Sequence, residues 1–256
     1  MIHATAIIDK SAIIGQDVQI GPYAVIGENV SISDGTIVGA HAIVEHTKIG
    51  KNCKIFSHAS IGAAPQDLKY TGEKTIVIIG DGTTIREFAT VNRGTSASGQ
   101  TVVGKNCLIM TCAHVAHDCV LGNNCIIANC CAIAGHVEIG DNVVMGGLTA
   151  VHQFVKIGQN VITGGGSMVS MDIIPYMQAQ GDRATLFGLN LVGLKRNRVP
   201  IKEIENIKHA YKILFMSNLI LNDALKKLKE ELGVSPYIQE ILNFISKSQR
   251  GICRPK

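Results

Sequence analysis

Four histidines, His114, His117, His136 and His152, fall in one segment of the chain, and Asp118 directly follows His117. Imidazole takes up and returns a proton near neutral pH, so histidine serves as a general base, and several together can hold a metal ion. A carboxylate beside an imidazole fixes its tautomer and stabilises the imidazolium formed when it accepts a proton. His117 with Asp118 therefore reads as a base with its orienting partner. The run Cys112-Ala113-His114-Val115-Ala116-His117-Asp118-Cys119 also holds the donor types of a metal site.

The elements that must position these groups show in a period of six. Val103, Ile109, Val115, Leu121, Ile127, Ile133, Ile139, Met145, Val151 and Ile157 recur at that spacing; Thr163 is a polar member, and Val169 resumes the series. Such a period matches neither a helix nor an alternating strand, but it is the mark of a parallel β-helix of hexapeptide repeats. Three hexads make one coil, so residues eighteen apart stack at roughly one strand spacing, ~4.8 Å.

Val115, Ile133 and Val151 are eighteen apart, and the four histidines flank them. The imidazoles are thus expected near one corner of successive coils, pointing outward. Cys119 occupies an inward position, so it cannot easily share an ion with His114 and His117. Gly135 stacks over His117, and without a Cβ it can present its N–H to a developing oxyanion. The eight cysteines include Cys53, Cys107, Cys119, Cys125 and Cys131 at the small inward position of the hexad, where a buried reduced thiol packs.

Repeats begin at Ile8 and continue through Ile14, Ile20, Ile26, Ile32, Val38 and Val44, then slip by one residue to Ile49, Ile55 and Ile61. Ala63–Gly72 interrupts the pattern as an extruded loop, and the hexads resume at Ile79, Ile85 and Val91. Arg93–Gln100 is a second interruption and reads as another loop, for which a linker role outweighs a binding one. Hexads end at Ile173-Ile174-Pro175. The predicted division is a β-helix over 1–178, a connector over 179–196 and a helical domain over 197–256. Apolar stripes mark three helices in that last part: Ile204, Ile207, Tyr211 and Leu214 after Pro200; Leu225, Leu228 and Leu232 between Asn222 or Asp223 and Gly233; and Ile238, Ile241, Leu242 and Ile245 after Ser235-Pro236. The small helical domain is expected to cap the open end of the solenoid.

The net charge of +4 is unevenly placed: Lys195–Lys256 carries thirteen Lys/Arg against six Asp/Glu. That favours acidic or phosphate-bearing partners. No apolar run approaches the ~18 residues of a membrane span and no leader pattern opens the chain. A cytoplasmic protein with neither membrane nor nucleic acid as partner is expected.

At these residues the sequence resembles the hexapeptide-repeat acyltransferases, and within them the UDP-N-acetylglucosamine O-acyltransferases that begin lipid A synthesis. The resemblance rests on Gln66-Asp67-Leu68-Lys69-Tyr70, His114-Val115-Ala116-His117-Asp118-Cys119, Ala134-Gly135-His136, Ala150-Val151-His152-Gln153-Phe154 and Gly193-Leu194-Lys195-Arg196. It implies a mainly β fold, a left-handed parallel β-helix against the usual right-handed crossover rule, with a small C-terminal helical domain. It also implies a homotrimer with active sites between subunits and no cofactor. His117 would take the proton of the glucosamine 3-hydroxyl, which attacks the thioester of a 3-hydroxyacyl chain on acyl carrier protein. Asp118 would orient His117, and Gly135 would supply the oxyanion N–H. Gln66, Asp67, Lys69, His114, His136, His152 and Gln153 would surround the sugar, with Asn190 and Arg196 at the nucleotide. Carrier proteins of this kind are acidic, which suits the basic tail.

Two positions depart from the family pattern: Asn197 stands where a second arginine is frequent, and Val192 where an acidic ribose contact is common. Gly165 matches the position of the acyl-chain ruler, and a glycine there implies a long chain. The fold also serves two other chemistries, acetyl transfer from acetyl-CoA and a zinc-dependent carbonic anhydrase, but neither accounts for the Gln66–Lys69 loop or for Arg196.

Overall fold

The computed structural model describes residues Met1–Lys256. Strands of mostly two residues alternate with corners and stack into three sheets of nine, eight and ten strands, each made from every third strand of the chain. The result is a left-handed parallel β-helix with a triangular section. Register follows the hexads: Val115 pairs with Ile133 and Ile133 with Val151 in the nine-stranded sheet.

The periodic residues form the interior because a coil this narrow has room for one aliphatic side chain per face. Ile109, Val115, Ile127, Ile133 and Met145 are fully buried. The small inward position is equally closed: Cys53, Cys107, Cys119, Cys125 and Cys131 are all buried. Their thiols also engage carbonyls of the next coil, as Cys107 Sγ does with Gly122 O at 3.1 Å and Cys125 Sγ with Gly140 O at 3.2 Å. Thr163, the polar anchor, is satisfied inside: its hydroxyl lies 3.3 Å from that of Thr149 and accepts from Gly146 N at 3.2 Å.

Each corner needs one residue in the left-handed region three positions after the anchor, which Asn, Asp and Gly tolerate best. Asp118 (φ 60°), His136 (φ 60°) and Phe154 (φ 65°) take that role one above another at the corner that follows the nine-stranded sheet. Both interruptions of the repeat leave from this same corner, one between Ser60–Ala63 and Ile76–Ile79 and the other between Thr90–Asn92 and Gln100–Val103.

Beyond the coils, Met177–Gln180 extends the ten-stranded sheet and turns back as an antiparallel partner, Thr185–Leu189, so this part of the chain is a hairpin rather than an irregular connector. Four helices follow: α1 (Leu191–Arg196), α2 (Ile201–Met216), α3 (Leu221–Leu232) and α4 (Pro236–Ser246). Ser235 caps α4 and accepts from Ile238 N, as its Ser-Pro start predicts. α3 begins earlier than the sequence suggests, at Leu221 after Ile220, with Asp223 inside the first turn where it favours the helix dipole. Glu240 on α4 receives hydrogen bonds from Gln159 and Tyr176 on the last coils, and Ile252 in the C-terminal tail bridges to Asp172, which ties the helices to the solenoid.

Candidate active site

The corner after the nine-stranded sheet gathers the chemistry. His114 and Val115 form its strand on one coil, and the next two coils place Gly135 and Gln153 over His117. A Cβ built on Gly135 would lie 2.7 Å from Cε1 and 2.8 Å from Nε2 of His117, so only glycine lets the imidazole stand there. The Gly135 N–H donates to no group of the chain. Nε2 of His117 likewise has no partner in the chain.

Nδ1 of His117 lies 2.7 Å from Oδ2 of Asp118. Asp118 is ionised by its surroundings: burial pushes its carboxyl up, but hydrogen bonds from Ser98, His117 and Thr95 outweigh this and hold it at about 2. The Thr95 N–H (3.0 Å), the Ser98 N–H (3.2 Å), the Thr95 hydroxyl (2.8 Å) and the Ser98 hydroxyl all donate to it. The loop read from sequence as a linker is therefore part of the site, and Thr95 and Ser98 are the residues that the sequence reading missed. Their only signal was a run of hydroxyl and small residues between two glycines.

The neighbouring imidazoles are each held. His114 Nδ1 lies 2.7 Å from the Thr90 hydroxyl, and burial, then the proximity of His117, push its imidazole below the ordinary value. His136 stacks on Phe154, ring centroids 4.5 Å apart, and meets His117 edge-on at 5.1 Å. His152 and Gln153 are exposed beside them.

Gln66, Asp67 and Lys69 ride on the extruded loop that leaves this corner. Asp67 folds the turn by accepting from Lys69 N at 3.0 Å, while Gln66 and Lys69 are exposed. The loop base is gripped from the coil beneath His117: Arg93 donates to Gly62 O at 2.7 Å and through Nε and Nη2 to the Tyr70 hydroxyl at 3.1 and 3.0 Å, and Asn92 donates to Ala63 O and Ala64 O.

Other expected site residues lie elsewhere on the chain. Gly165 sits beside Gly147 at the corner after the ten-stranded sheet, with open space around it apart from Gly147 O. Asn190 is buried, caps α1 by accepting from Gly193 N at 2.9 Å, and donates to Asn160 O at 2.8 Å, so its amide already has structural work. Arg196 is exposed in the last turn of α1, Val192 is exposed, and Asn197 ends the helix with its amide on Asn160.

His117, Asp118 and His136 bring ligand-type atoms within 4.8 Å of one another. Nδ1 of His117 and Oδ2 of Asp118 are engaged with each other, and Asp118 accepts four further bonds from the loop, so the pair forms a hydrogen-bonded dyad. Cys119 is turned inward, its thiol pushed up to about 12 by burial.

Comparison with known proteins agrees with this geometry. The family model described as UDP N-acetylglucosamine O-acyltransferase, domain 2, matches residues 172–253; the bacterial transferase hexapeptide model of six repeats matches 100–135; and a GMPPB C-terminal domain model matches 1–105. The acyl-[acyl-carrier-protein]–UDP-N-acetylglucosamine O-acyltransferase of Chlorobaculum tepidum is 60% identical over 247 residues, covering 96% of this chain and 94% of that one. Its counterpart in Thermodesulfovibrio yellowstonii is 48% identical, covering 99% of both. Among solved structures, the UDP-N-acetylglucosamine acyltransferase of Bacteroides fragilis superposes with a TM-score of 0.97 at 43% identity, over 99% of this chain and 100% of that one. That of Acinetobacter baumannii gives 0.96 at 42%, over 99% of each. Likeness of this degree runs through coils, loops and helical tail alike, and the chain belongs to the UDP-N-acetylglucosamine O-acyltransferase family.

Proposed function

We propose that the enzyme moves a 3-hydroxyacyl chain from acyl carrier protein to the glucosamine 3-hydroxyl of UDP-N-acetylglucosamine, the first step of lipid A synthesis, in the cytoplasm. The observation that carries this reading is one imidazole with two sides: Nδ1 is tied to the ionised Asp118, and Nε2 is free, with Gly135, whose N–H is unbonded, packed over the ring. As the 3-hydroxyl oxygen attacks the thioester carbonyl carbon, its proton passes to Nε2 of His117. A C–O bond forms, and the carbonyl electron pair moves onto oxygen, where the Gly135 N–H stabilises it. Collapse breaks the C–S bond, and the leaving thiolate takes the proton back from Nε2. Asp118 keeps the imidazole in the tautomer that exposes Nε2 and favours the imidazolium between the two transfers.

Gln66, Asp67 and Lys69 approach the sugar from the loop, with His114, His136, His152 and Gln153 around it. Arg196 serves the nucleotide, with Asn190 holding the start of the helix that carries it. Gly165, Asn190 and Arg196 stand at other corners of the prism than His117, and a homotrimer that sets these corners against each other completes each site. Gly165 leaves the acyl groove open to a long chain. The basic helical tail suits an acidic carrier protein. No helix is long and apolar enough to cross a membrane.

The test is transfer of a radiolabelled sugar nucleotide into acylated product with a panel of 3-hydroxyacyl carrier proteins, alongside His117→Ala. Loss of the base should lower the rate at least ~10²-fold. A fully active His117→Ala enzyme, or a wild type inert with every donor, overturns the reading.

A further inference from the structure

The loop Gly94–Gly99 meets the catalytic corner at both oxygens of Asp118, one of which it shares with His117. Oδ2 of Asp118 lies 2.7 Å from His117 Nδ1 and accepts the Thr95 hydroxyl at 2.8 Å. Oδ1 takes the Thr95 N–H, the Ser98 N–H and the Ser98 hydroxyl. The loop reaches across from the preceding coil, so a segment of the chain without any ionisable side chain supplies most of the donors to the carboxylate.

A carboxylate oxygen divided between two donors is a weaker acceptor for each, because every hydrogen bond stabilises part of the same negative charge. The Thr95 hydroxyl therefore competes with the imidazole N–H for Oδ2. Thr95 is 7% exposed, so water has little access to replace its hydroxyl once removed. Ser98 is exposed, and water can substitute for its hydroxyl in part. We infer that Thr95, seconded by Ser98, is a positioning residue that sets how strongly Asp118 holds the imidazolium of His117, and with it the acidity at which the base stops working.

The other groups facing this pair do not take over the role. His136 Nε2 stands 3.8 Å from Asp118 Oδ2, beyond hydrogen-bond distance. His114, on the same strand as Val115, is engaged with Thr90. Arg93, one coil below, turns its guanidinium to Tyr70, Gly62 O and Glu45. Cys119 is a neutral inward thiol.

The inference rests on the acyl transfer proposed above and is read from pH profiles of kcat/KM for wild type, Thr95→Val, Thr95→Ser, Ser98→Ala and, as control, the exposed Ser96→Ala. Freed of its competitor, Asp118 holds the imidazolium more tightly. The acid limb of Thr95→Val should then move to higher pH by about half a unit, which is roughly a threefold extra loss of rate on the acid side. Thr95→Ser restores the limb, Ser98→Ala moves it the same way by less, and Ser96→Ala leaves it in place. A Thr95→Val limb at the wild-type position or below it, whatever happens to the plateau or Tm, overturns the inference, as does a Thr95→Ser enzyme that stays shifted. A wild type that transfers no acyl chain fails the reaction itself, whereas an active wild type with an unmoved Thr95→Val limb fails only this role for the loop.

Discussion

Gly135 lies over the ring of His117 so closely that a methyl group on its Cα would sit 2.7 Å from Cε1. Backbone and imidazole are thus matched across one rung of the solenoid: the residue that leaves room for the ring is also one whose N–H has no partner in the chain.

Gly135→Ala should displace the imidazole while leaving the inward anchors untouched. A loss of at least ~10²-fold in kcat is expected, in the range of a lost oxyanion donor. Because the coil interior is unchanged, Tm should stay within a few degrees, which differential scanning calorimetry checks.

Acid sensitivity should trace partly to Asp118. Its folded-state value of about 2 lies below the ordinary carboxyl value of 3.8, so folding favours the ionised form. The stability this supplies is fully present above the unfolded value and drains away as the pH falls through roughly 4 to 2. Asp118→Asn removes that dependence: its Tm should be lower than wild type at neutral pH but fall less steeply over the acid window. Parallel Tm curves for the two proteins would contradict it.

Tyr70→Phe deletes the hydroxyl that receives two bonds from Arg93 and loosens the loop bearing Gln66, Asp67 and Lys69. KM for the sugar nucleotide should rise about five- to tenfold, the worth of roughly one ordinary hydrogen bond, with kcat changed much less. Steady-state kinetics separate the two, and an effect on kcat alone would place the loop in a different role.

Thiol chemistry should divide the cysteines sharply. Cys112 and Cys130 are exposed, and the other six of the eight are buried. Ellman's reagent should titrate two thiols in the native protein and eight after unfolding, since burial shields the inward group and, at Cys119, also raises the thiol.

At Gly165, methionine would project into the open space beside Gly147. Gly165→Met should shift donor preference toward shorter 3-hydroxyacyl chains, with kcat/KM for the longest donor lowered at least ~10-fold, a few buried methylenes' worth. An unchanged preference removes Gly165 from the groove.

Where the chain keeps its period of six, three-dimensional neighbours are written into it. Strand direction, corner and rung all repeat, so counting from Val115 by eighteen reaches Ile133 and Val151, and the stacking of Gly135 on His117 follows from the same count. Local periodicity likewise assigns Cys53, Cys107, Cys119, Cys125 and Cys131 to the interior, because inward and outward positions alternate by a rule that does not depend on distant contacts. Off the period that rule stops. Thr95 meets Asp118 across twenty-three residues, Arg93 reaches Tyr70 across the same separation, and Asn190 closes on Asn160 across thirty. None of these contacts is implied by any spacing in the sequence. The hexads by themselves determined the solenoid and set imidazole, carboxylate and glycine side by side. Only the folded loops decided what holds the carboxylate, because hydrogen-bond partners outside a repeat are chosen by where the chain returns in space.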